Sequence, residues 1–466
     1  MFQTIIGTIS SFMYSKLLVI LLIGAGVYFT IRTRFPQVRL FKNACGSVME
    51  KPEDKGAISS FQALMVSTAS RVGTGNIVGV SSAICIGGFG SVFWMWVIAI
   101  IGSASALIES TLAQIYKKKG EDGSCYGGPA YYIEAALHCR PLAIVFCVAM
   151  ILTYAFGFNM LASYNLQSTF SVFSFYEAKM SPWIIGGILA VLTGWCLLGG
   201  GSRIVKVTSM VVPVMGIAYI GISLLVVIIN IQNVPAMFVR IFEEAFDFKA
   251  IFGAFSGSAM MQGIRRGLYS NEAGIGSAPN ASASANVSHP VKQGLIQALS
   301  VFTDTIVICS CTAFIILLSD LPLDGTLKGI QLTQAAVGHE IGPFGAQFIA
   351  FCILLFAFSS IVGNYSYCET NLFFISRHPA GLQIYRIAVG GMVFFGSVAG
   401  LDIVWNLADL FMALMTLINL IALIFLGHLA LKALKNYNDQ KRRGIKSPVF
   451  KASDIPEIED QLSEWK

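Results

Sequence analysis

The stretch "TASRVGTGNIVG", Thr68 to Gly79, carries three glycines, two threonines, an asparagine and an arginine inside an otherwise apolar part of the chain. Gly73 and Gly75 weaken a helix, and the side chains of Thr74 and Asn76 can bond backbone groups that an unwound helix sets free. In a lipid bilayer, irregular backbone is tolerated only where it is buried in protein or lines a cavity. The stretch therefore predicts a helix interrupted at a binding cavity; the alternative is a small-residue face for close helix packing.

The composition places this interruption in a membrane protein. Of the 466 residues, 55% are hydrophobic and only 12% are charged, and the mean hydropathy is +0.71. A soluble protein carries about 25% charged residues, and its core cannot hide this much apolar surface. Because the apolar runs are continuous rather than alternating, we predict an all-α polytopic membrane protein.

Other classes of protein are disfavoured by the same sequence. The basic residues are dispersed among short segments, which argues against a nucleic-acid partner. The five histidines are scattered, and neither an H-E-x-x-H nor a G-x-x-x-x-G-K-[ST] motif occurs. The sequence thus predicts no enzyme and no ATP-driven pump. A channel would show repeated filter elements or rings of charge, and neither is present.

The apolar runs also set the topology. A helix needs about 20 residues to cross the hydrocarbon, and eleven candidate spans lie near 13–33, 57–87, 91–116, 141–171, 182–199, 202–231, 248–268, 290–319, 345–375, 381–401 and 404–434. With the N-terminus outside, 25 of the 31 Lys and Arg residues fall in cytoplasmic segments, 5 fall outside and Arg71 lies within the membrane. Positive segments stay cytoplasmic, so we expect a multi-pass protein of the cell (inner) membrane with a cytoplasmic C-terminus.

The spans divide into an N-terminal helix and two halves. Residues 1–56 are predicted to form that helix and a cytoplasmic loop, 57–231 and 248–434 two five-helix repeats, and 435–466 a solvated cytoplasmic tail. The second half, like the first, begins with a run broken by glycine, "GAFSGSAMMQGIRRG" from Gly253 to Gly267, in which Gly263 is one of the breakers. Paired interrupted helices in matching positions are the best sequence indication of a transporter site near the bilayer midplane.

At these residues the chain resembles the alanine/glycine:cation symporter family, the sodium:alanine symporters. The resemblance covers almost the whole chain and rests on the motifs "GTGNIVGV" (Gly73 to Val80), "FWMW" (Phe93 to Trp96), "GGPAYYI" (Gly127 to Ile133), "RGLYSNEAGIGSAPNASA" (Arg266 to Ala283), "VFTDT" (Val301 to Thr305) and "FAFSS" (Phe356 to Ser360). It implies a leucine-transporter-type fold, with a five-plus-five inverted repeat and two discontinuous helices. It also implies a secondary symporter that imports a small neutral amino acid with Na⁺ by alternating access, with Na⁺ as coupling ion and no other cofactor.

The resemblance implies site residues as well. The implied substrate-binding residues are Thr74, Gly75, Asn76, Gly257, Ser258, Met261 and Gln262, and we predict Asn159 and Asn364 as further substrate-binding residues. The implied Na⁺ ligands are the carbonyls of Ala69 and Val72 with the hydroxyls of Ser359 and Ser360. The alternative role for the two serines is a hydrogen bond back to their own helix.

Two positions depart from the family pattern. This chain has "NMLA" (Asn159 to Ala162) where many members have "NMVQ", and Asn364 where many have tryptophan. Both changes give a roomier pocket with a more polar wall. Besides alanine and glycine, glutamine is therefore a serious candidate, with Asn364 as the partner of its amide.

Charged residues inside the membrane are costly and usually mark function or pairing. We expect Arg71 to act as a gate or structural ion pair with Glu272 or Asp304; a direct clamp on the substrate carboxylate is the alternative. Asp304 could belong to the cation path, and it keeps a proton-coupled amino acid transporter open as the rival function. Glu109 and Glu369 are expected to be solvated near the cytoplasmic ends. The oligomeric state is open.

Overall fold

The computed structural model describes residues 12–52, 57–120, 123–247, 258–323 and 325–465. The described residues form twenty α-helices: α1 Val19–Arg32, α2 Pro36–Arg39, α3 Phe41–Val48, α4 Ser60–Arg71, α5 Val80–Gly87, α6 Gly90–Ile115, α7 Pro129–Leu137, α8 Arg140–Ile151, α9 Asn159–Thr169, α10 Ser181–Leu198, α11 Gly200–Ile229, α12 Val234–Ala245, α13 Ala259–Asn271, α14 Ala278–Ala283, α15 Pro290–Phe302, α16 Ser310–Leu318, α17 Ile330–Ile341, α18 Phe344–Ile375, α19 Pro379–Val398 and α20 Leu401–Arg442. One short antiparallel pair, β1 Lys118–Lys119 with β2 Cys125–Tyr126, closes the loop after α6.

The prediction of an all-α polytopic membrane protein is confirmed. Among the described residues, eight helical segments are long and apolar enough to cross a membrane: Gly90–Ile115, Arg140–Val172, Ser181–Leu198, Gly200–Ile229, Pro290–Leu318, Phe344–Ile375, Pro379–Val398 and Val404–Arg442. The other three predicted spans coincide with the shorter α1, with the interrupted pair α4 and α5, and with α13 and the residues before it. The count of eleven spans therefore stays a prediction.

The first interrupted helix is present where the opening stretch predicts it. The N-terminus of α4 is fixed by a capping box, in which Gln62 N–H donates to the Ser59 hydroxyl and Ser59 N–H donates to the Gln62 amide oxygen. The helix ends at Arg71, and Val72 leaves the helical region with φ −78° and ψ 88°. A π-helical turn, Gly75–Gly79, then leads into α5. Unwound backbone therefore separates two half-helices inside the protein.

The second interruption differs from the prediction. Residues 248–257, which include Gly253 and Gly257, lie outside the described residues. Gly263 was expected to break the helix, but α13 runs through it without a break, so this part of the prediction is wrong. Gly263 serves close packing instead, because a Cβ there would lie 2.7 Å from the Cβ of Trp94 on α6. The backbone leaves the helix after Asn271, where Glu272 has a positive φ of 54°.

Two groups of helices meet at the unwound stretch. α6 packs against α1, α13, α14 and α15, while α18 packs against α4, α9, α11 and α17. Two further π-helical segments lie within this arrangement, Leu152–Phe158 between α8 and α9 and Thr303–Cys309 between α15 and α16. Such segments occur frequently at functional sites, because the wider turn redirects side chains and leaves backbone groups unpaired.

The C-terminal segment is packed against the protein. α20 has 42 residues, about 63 Å at 1.5 Å per residue, so it extends well beyond a hydrocarbon layer of about 30 Å. The chain then turns back along the end of the bundle, and Phe450, Ile455 and Trp465 are buried. The expectation of a solvated tail is therefore wrong, because regularly spaced apolar side chains of the segment are buried against the protein.

Candidate functional site: a cavity at the unwound helix

The unwound stretch lies directly against α18. A Cβ at Gly363 would lie 2.6 Å from the backbone nitrogen of Ser70, and a Cβ at Gly73 would overlap the hydroxyl of Ser360. Glycine at these two positions therefore lets the two backbones approach each other. As a result, polar groups of α18 stand beside the carbonyls that the unwound helix sets free.

A small cavity lies at this contact, with a volume of about 20 Å³, close to the room that one water needs. Its lining residues come from α4, the unwound stretch, the Leu152–Phe158 segment, α9, α13 and α18; they are Ser70, Arg71, Gly73, Thr74, Gly75, Phe158, Ala162, Tyr269, Glu272, Ser360 and Asn364. An amino acid would require movement of the lining. The rings of Phe158 and Tyr269 are in edge-to-face contact at 4.8 Å, and Tyr269 lies against Gly75.

The two candidate Na⁺ serines differ in their surroundings. The Ser359 hydroxyl donates to the Phe356 carbonyl of its own helix at 3.1 Å, which is the role expected of a helix serine without a ligand. The Ser360 hydroxyl is buried, lines the cavity and has no hydrogen-bond partner among the described residues. Because a buried unpaired hydroxyl is costly, Ser360 is the better candidate for an ion ligand.

A hydrogen-bonded chain forms the polar wall of the cavity. Ser70 Oγ donates to Asn364 Oδ1 at 2.6 Å, and Asn364 Nδ2 donates to Asn159 Oδ1 at 2.9 Å. Asn159 Nδ2 is buried, and none of the described residues is its hydrogen-bond partner. On the other side, Glu272 Oε1 lies 3.4 Å from the Ser70 hydroxyl. Asn364 therefore keeps one N–H for a ligand, while its oxygen already accepts from Ser70.

Asn76 faces away from the cavity into a second polar cluster. Its Oδ1 accepts from Gly73 N–H at 2.9 Å, which holds the unwound backbone. Its Nδ2 donates to Asp304 Oδ1 at 2.7 Å and to Ser270 Oγ at 2.9 Å. Ser270 Oγ in turn donates to Asp304 Oδ2 at 2.6 Å. Asn76 thus acts as a brace between the unwound stretch, α13 and the segment Thr303–Cys309.

Glu109 is a buried anchor that the sequence analysis assigned to solvent, and that expectation is wrong. It has 0% exposure, and its two oxygens accept from Gly274 N–H at 3.2 Å and Gly276 N–H at 3.1 Å. Asn419 Nδ2 adds a third donor at 2.9 Å. The carboxylate therefore shapes the non-helical loop that follows Glu272. Glu369 also differs from the expectation, because it pairs with Arg386 at 3.8 Å with both side chains largely buried.

A charged pair lies next to the aromatic residues of the cavity. Arg266 Nη1 is 3.7 Å from Asp409 Oδ1, and each side chain is 11% exposed. The guanidinium also stacks over Trp405 at 4.1 Å from the ring centroid. Trp405 in turn contacts Tyr269 at 5.3 Å. These contacts were not predicted from the sequence, because nothing local indicates that α13 and α20 meet there.

The predicted site residues divide into two sets. Thr74, Gly75, Ser360 and Asn364 line the cavity, together with Arg71 and Glu272. The predicted residues that are not among its lining residues are Ala69, Val72, Asn76, Asn159, Ser258, Met261, Gln262, Asp304 and Ser359. Of these, Asn76 and Asn159 each accept a hydrogen bond from a residue that lines the cavity, Gly73 and Asn364 respectively. Gly257 lies outside the described residues.

Known proteins resemble this chain over nearly its whole length. The chain matches the model of the sodium:alanine symporter family over residues 1–452. It is 48% identical over 460 residues to the amino-acid carrier protein AlsT of Bacillus subtilis (strain 168), covering 98% of this chain and 97% of AlsT. It is 46% identical over 450 residues to the "Probable sodium/glutamine symporter GlnT" of the same organism, covering 96% of this chain and 93% of GlnT.

The fold is shared with a more distant transporter. The crystal structure of MhsT in complex with L-phenylalanine matches with a TM-score of 0.59 at 12% identity, covering 89% of this chain and 93% of that chain. The expected leucine-transporter-type fold and the family resemblance are therefore confirmed. With relatives this similar over their whole length, the chain belongs to the sodium:alanine symporter family and is a membrane transporter for amino acids, not an enzyme.

Proposed function

We propose that the protein imports a small neutral amino acid together with Na⁺ by alternating access. The observation that carries the proposal is the buried Ser360 hydroxyl, which has no hydrogen-bond partner in the described part of the chain and stands against the unwound backbone at Gly73. Hard oxygen ligands suit a small cation, and carbonyls freed by unwinding supply the rest of its shell. Ala69 and Val72 remain the proposed carbonyl donors, and Ser359 is the weaker hydroxyl.

The substrate is proposed to bind in the adjoining cavity. Thr74 and Gly75 stand at the start of the second half-helix, where its positive dipole end favours a carboxylate. Ala162 and Asn364 form the wall that sets the size and polarity of the side-chain pocket. Alanine is the substrate named for the family, and glutamine is the one named for a relative at 46% identity. Alanine, glycine and glutamine are therefore the candidates, with Asn364 donating its remaining N–H to a glutamine side chain.

Proton coupling is the second candidate, and Asp304 is the observation that favours it. This carboxylate is 0% exposed and bonds to Asn76, the residue that braces the unwound stretch. A proton on Asp304 would change this brace, and with it the geometry of the cavity. The hydroxyl of Ser360 does not titrate, so a site built on it favours Na⁺, which remains the first choice.

A binding assay on purified protein separates these possibilities. We expect labelled alanine or glutamine to bind in NaCl and to bind at least about tenfold more weakly in choline chloride, at constant pH. Ala162→Gln and Asn364→Trp should shift preference from glutamine toward alanine by about tenfold, the effect of about 1.4 kcal/mol. Binding that follows pH and ignores Na⁺ would favour the proton candidate and contradict the first.

A further inference from the structure

Arg71 has a large unmet hydrogen-bonding capacity. The residue is 2% exposed, and its Nε, Nη1 and Nη2 atoms are buried without a hydrogen-bond partner among the described residues. A guanidinium has five N–H donors, and it keeps its positive charge because it is not deprotonated in proteins. Leaving such a group buried and unpaired is strongly disfavoured. Its position next to the cavity therefore calls for an anionic partner.

The nearby carboxylates do not fill that role. Glu109, Glu272 and Asp304 all interact electrostatically with Arg71. However, each takes its hydrogen bonds from other groups, such as Ser277 Oγ, which donates to Glu272 at 2.7 Å. The expected ion pair of Arg71 with Glu272 or Asp304 is thus not a hydrogen-bonded pair in this structure, and the guanidinium remains available.

We propose that Arg71 binds the carboxylate of the transported amino acid, with Glu272 facing its ammonium group; this inference rests on the proposed function. Arg71 and Glu272 both line the cavity, so it offers one positive and one negative side chain. A zwitterion matches both, whereas a simple anion such as chloride would meet the repulsion of Glu272. The planar guanidinium fits a carboxylate through two parallel hydrogen bonds.

The test compares alanine with its methyl ester, which keeps the ammonium group but lacks the negative charge. Both compete against labelled amino acid on the full-length protein in NaCl. The wild type should prefer alanine by at least about 30-fold, and Arg71→Gln should bring the two within about threefold. Arg71→Lys should keep part of the preference. Arg240→Gln, which removes an exposed arginine paired with Glu244, is the matched control and should behave as wild type.

The outcomes are distinguishable. A wild type that binds the ester as well as alanine overturns the assignment without any variant, as does an Arg71→Gln variant that keeps the full preference. Replacing chloride by gluconate should leave wild-type binding unchanged; dependence on chloride would assign Arg71 to a halide instead and would also overturn the inference. If no amino acid binds in a Na⁺-dependent manner, the proposed function fails first.

A second inference follows independently from the C-terminal segment, residues 446–465, here called the strap. Its buried residues recur every two to four positions: Pro448, Phe450, Ala452, Ile455, Ile458, Leu462 and Trp465. Its acidic side chains between them are mainly exposed. Phe450 N–H donates to Ser288 O at 2.9 Å, and Ala452 N–H donates to Trp465 O at 2.6 Å.

The strap contacts the end of α6 and the start of α15, two helices that pack against each other. Trp465 Nε1 donates to Gln114 O at 3.0 Å near the end of α6, and Lys117 Nζ lies 4.5 Å from the Trp465 ring centroid. Phe450 packs at 5.4 Å against His289, the N-cap of α15. Burial lowers the pKa of His289 to about 3, so this contact is neutral at pH 7.

We infer that the strap fastens α20 to the ends of α6 and α15 and slows the opening of this end of the transporter. Trp465→Ala removes the anchor, whereas Glu459→Ala alters an exposed strap residue and is the control. In proteoliposomes, Trp465→Ala should raise the maximal exchange rate at least about twofold and leave the apparent Na⁺ affinity unchanged, since Trp465 is not part of the cavity lining. Trypsin should cleave after Lys451 at least about tenfold faster than in wild type.

Two results contradict this second inference. Faster cleavage with unchanged exchange would mean that the strap is a packing element without influence on transport. Unchanged cleavage and exchange would mean that Trp465 does not anchor it. Should Trp465→Ala not fold, Trp465→Phe keeps the apolar contact and loses the bond to Gln114 O; it should give the same changes at smaller amplitude, and wild-type behaviour would count against the strap.

Discussion

Replacing each of two adjacent serines separates an ion ligand from an ordinary helix serine. Ser360 Oγ is buried and has no hydrogen-bond partner within the ranges that the structure describes, whereas Ser359 Oγ donates to Phe356 O of its own helix. A hydrogen bond or ligand contact to a charged group contributes about 1.5–3 kcal/mol. Since about 1.4 kcal/mol corresponds to a factor of ten, Ser360→Ala should weaken Na⁺ binding by about 10- to 150-fold.

The stability of the ion-free protein should respond in the opposite manner. Ser360→Ala removes a buried hydroxyl that bonds to none of the described residues, so it should not lower the melting temperature measured without Na⁺. Ser359→Ala exchanges a local back-bond for an alanine of better helix propensity and should change the Na⁺ affinity by less than about twofold.

The assay is the Na⁺ dependence of labelled amino acid binding, with Na⁺-induced thermal stabilisation as a second readout. Ser360→Ala should need far more Na⁺ for half-maximal binding while reaching the same maximum. Equal effects of the two substitutions, or a wild-type Na⁺ response in Ser360→Ala, would refute the assignment of Ser360. A larger effect of Ser359→Ala would place the ion at Ser359 instead of Ser360.

Three further substitutions test the surroundings of the cavity. Gly363→Ala places a Cβ 2.6 Å from a backbone nitrogen of α4, so it should cost about 1–3 kcal/mol of stability and abolish substrate binding. Gly390→Ala, whose Cβ would meet open space, is the control and should do neither. Normal binding by Gly363→Ala would refute the close contact. Glu109→Gln replaces a carboxylate that accepts hydrogen bonds from two backbone N–H groups, so thermal unfolding should show that the free energy of unfolding falls by about 1–3 kcal/mol. An unchanged melting temperature would show that the loop does not depend on this carboxylate. Asp409→Asn weakens the ion pair with Arg266 beside Trp405 and Tyr269, so substrate release measured by dilution should accelerate. A release rate equal to wild type would show that this pair does not limit release.

The first interruption could be predicted from sequence because its causes are local. Gly73 and Asn76 lie three residues apart, and the side chain of Asn76 bonds the very backbone that the break exposes. Gly263 misled the same reasoning, because a glycine that weakens a helix and a glycine that admits a neighbouring helix look alike in sequence. Which of the two applies depends on Trp94 of α6, which is distant in the chain.

The polar contacts of the site could not be predicted for the same reason. Arg71 was expected to pair with Glu272 or Asp304, since these are the few charges at membrane depth. The bonds of these carboxylates depend on donors from other helices, such as Ser70, whose hydroxyl lies 3.4 Å from Glu272 Oε1 and 202 positions away in the chain. The burial of Glu109 could not be predicted because its partners, two backbone N–H groups of a later loop and the side chain of Asn419, come from distant parts of the chain.

The packing of the strap, in contrast, is indicated by its own sequence. Apolar residues recur among acidic ones from Phe450 to Trp465, a pattern typical of a segment packed along a surface. Its charge content suggested a solvated tail, but exposed Glu457 and the other acidic residues occupy only the outer face. Glu457 pairs with Lys432 of α20, which lowers the pKa of that carboxyl.

Transport in proteoliposomes tests the proposed Na⁺ coupling most directly. Purified protein is reconstituted, and uptake of labelled alanine, glycine and glutamine is followed with an inward Na⁺ gradient, with choline in its place, and with an inward proton gradient at equal Na⁺ on both sides. A Na⁺-coupled symporter accumulates its substrate above equilibrium only in the first condition, and Ser360→Ala requires more Na⁺ to do so. Accumulation driven by the proton gradient without Na⁺ would contradict the Na⁺ site at Ser360 and assign the coupling to Asp304.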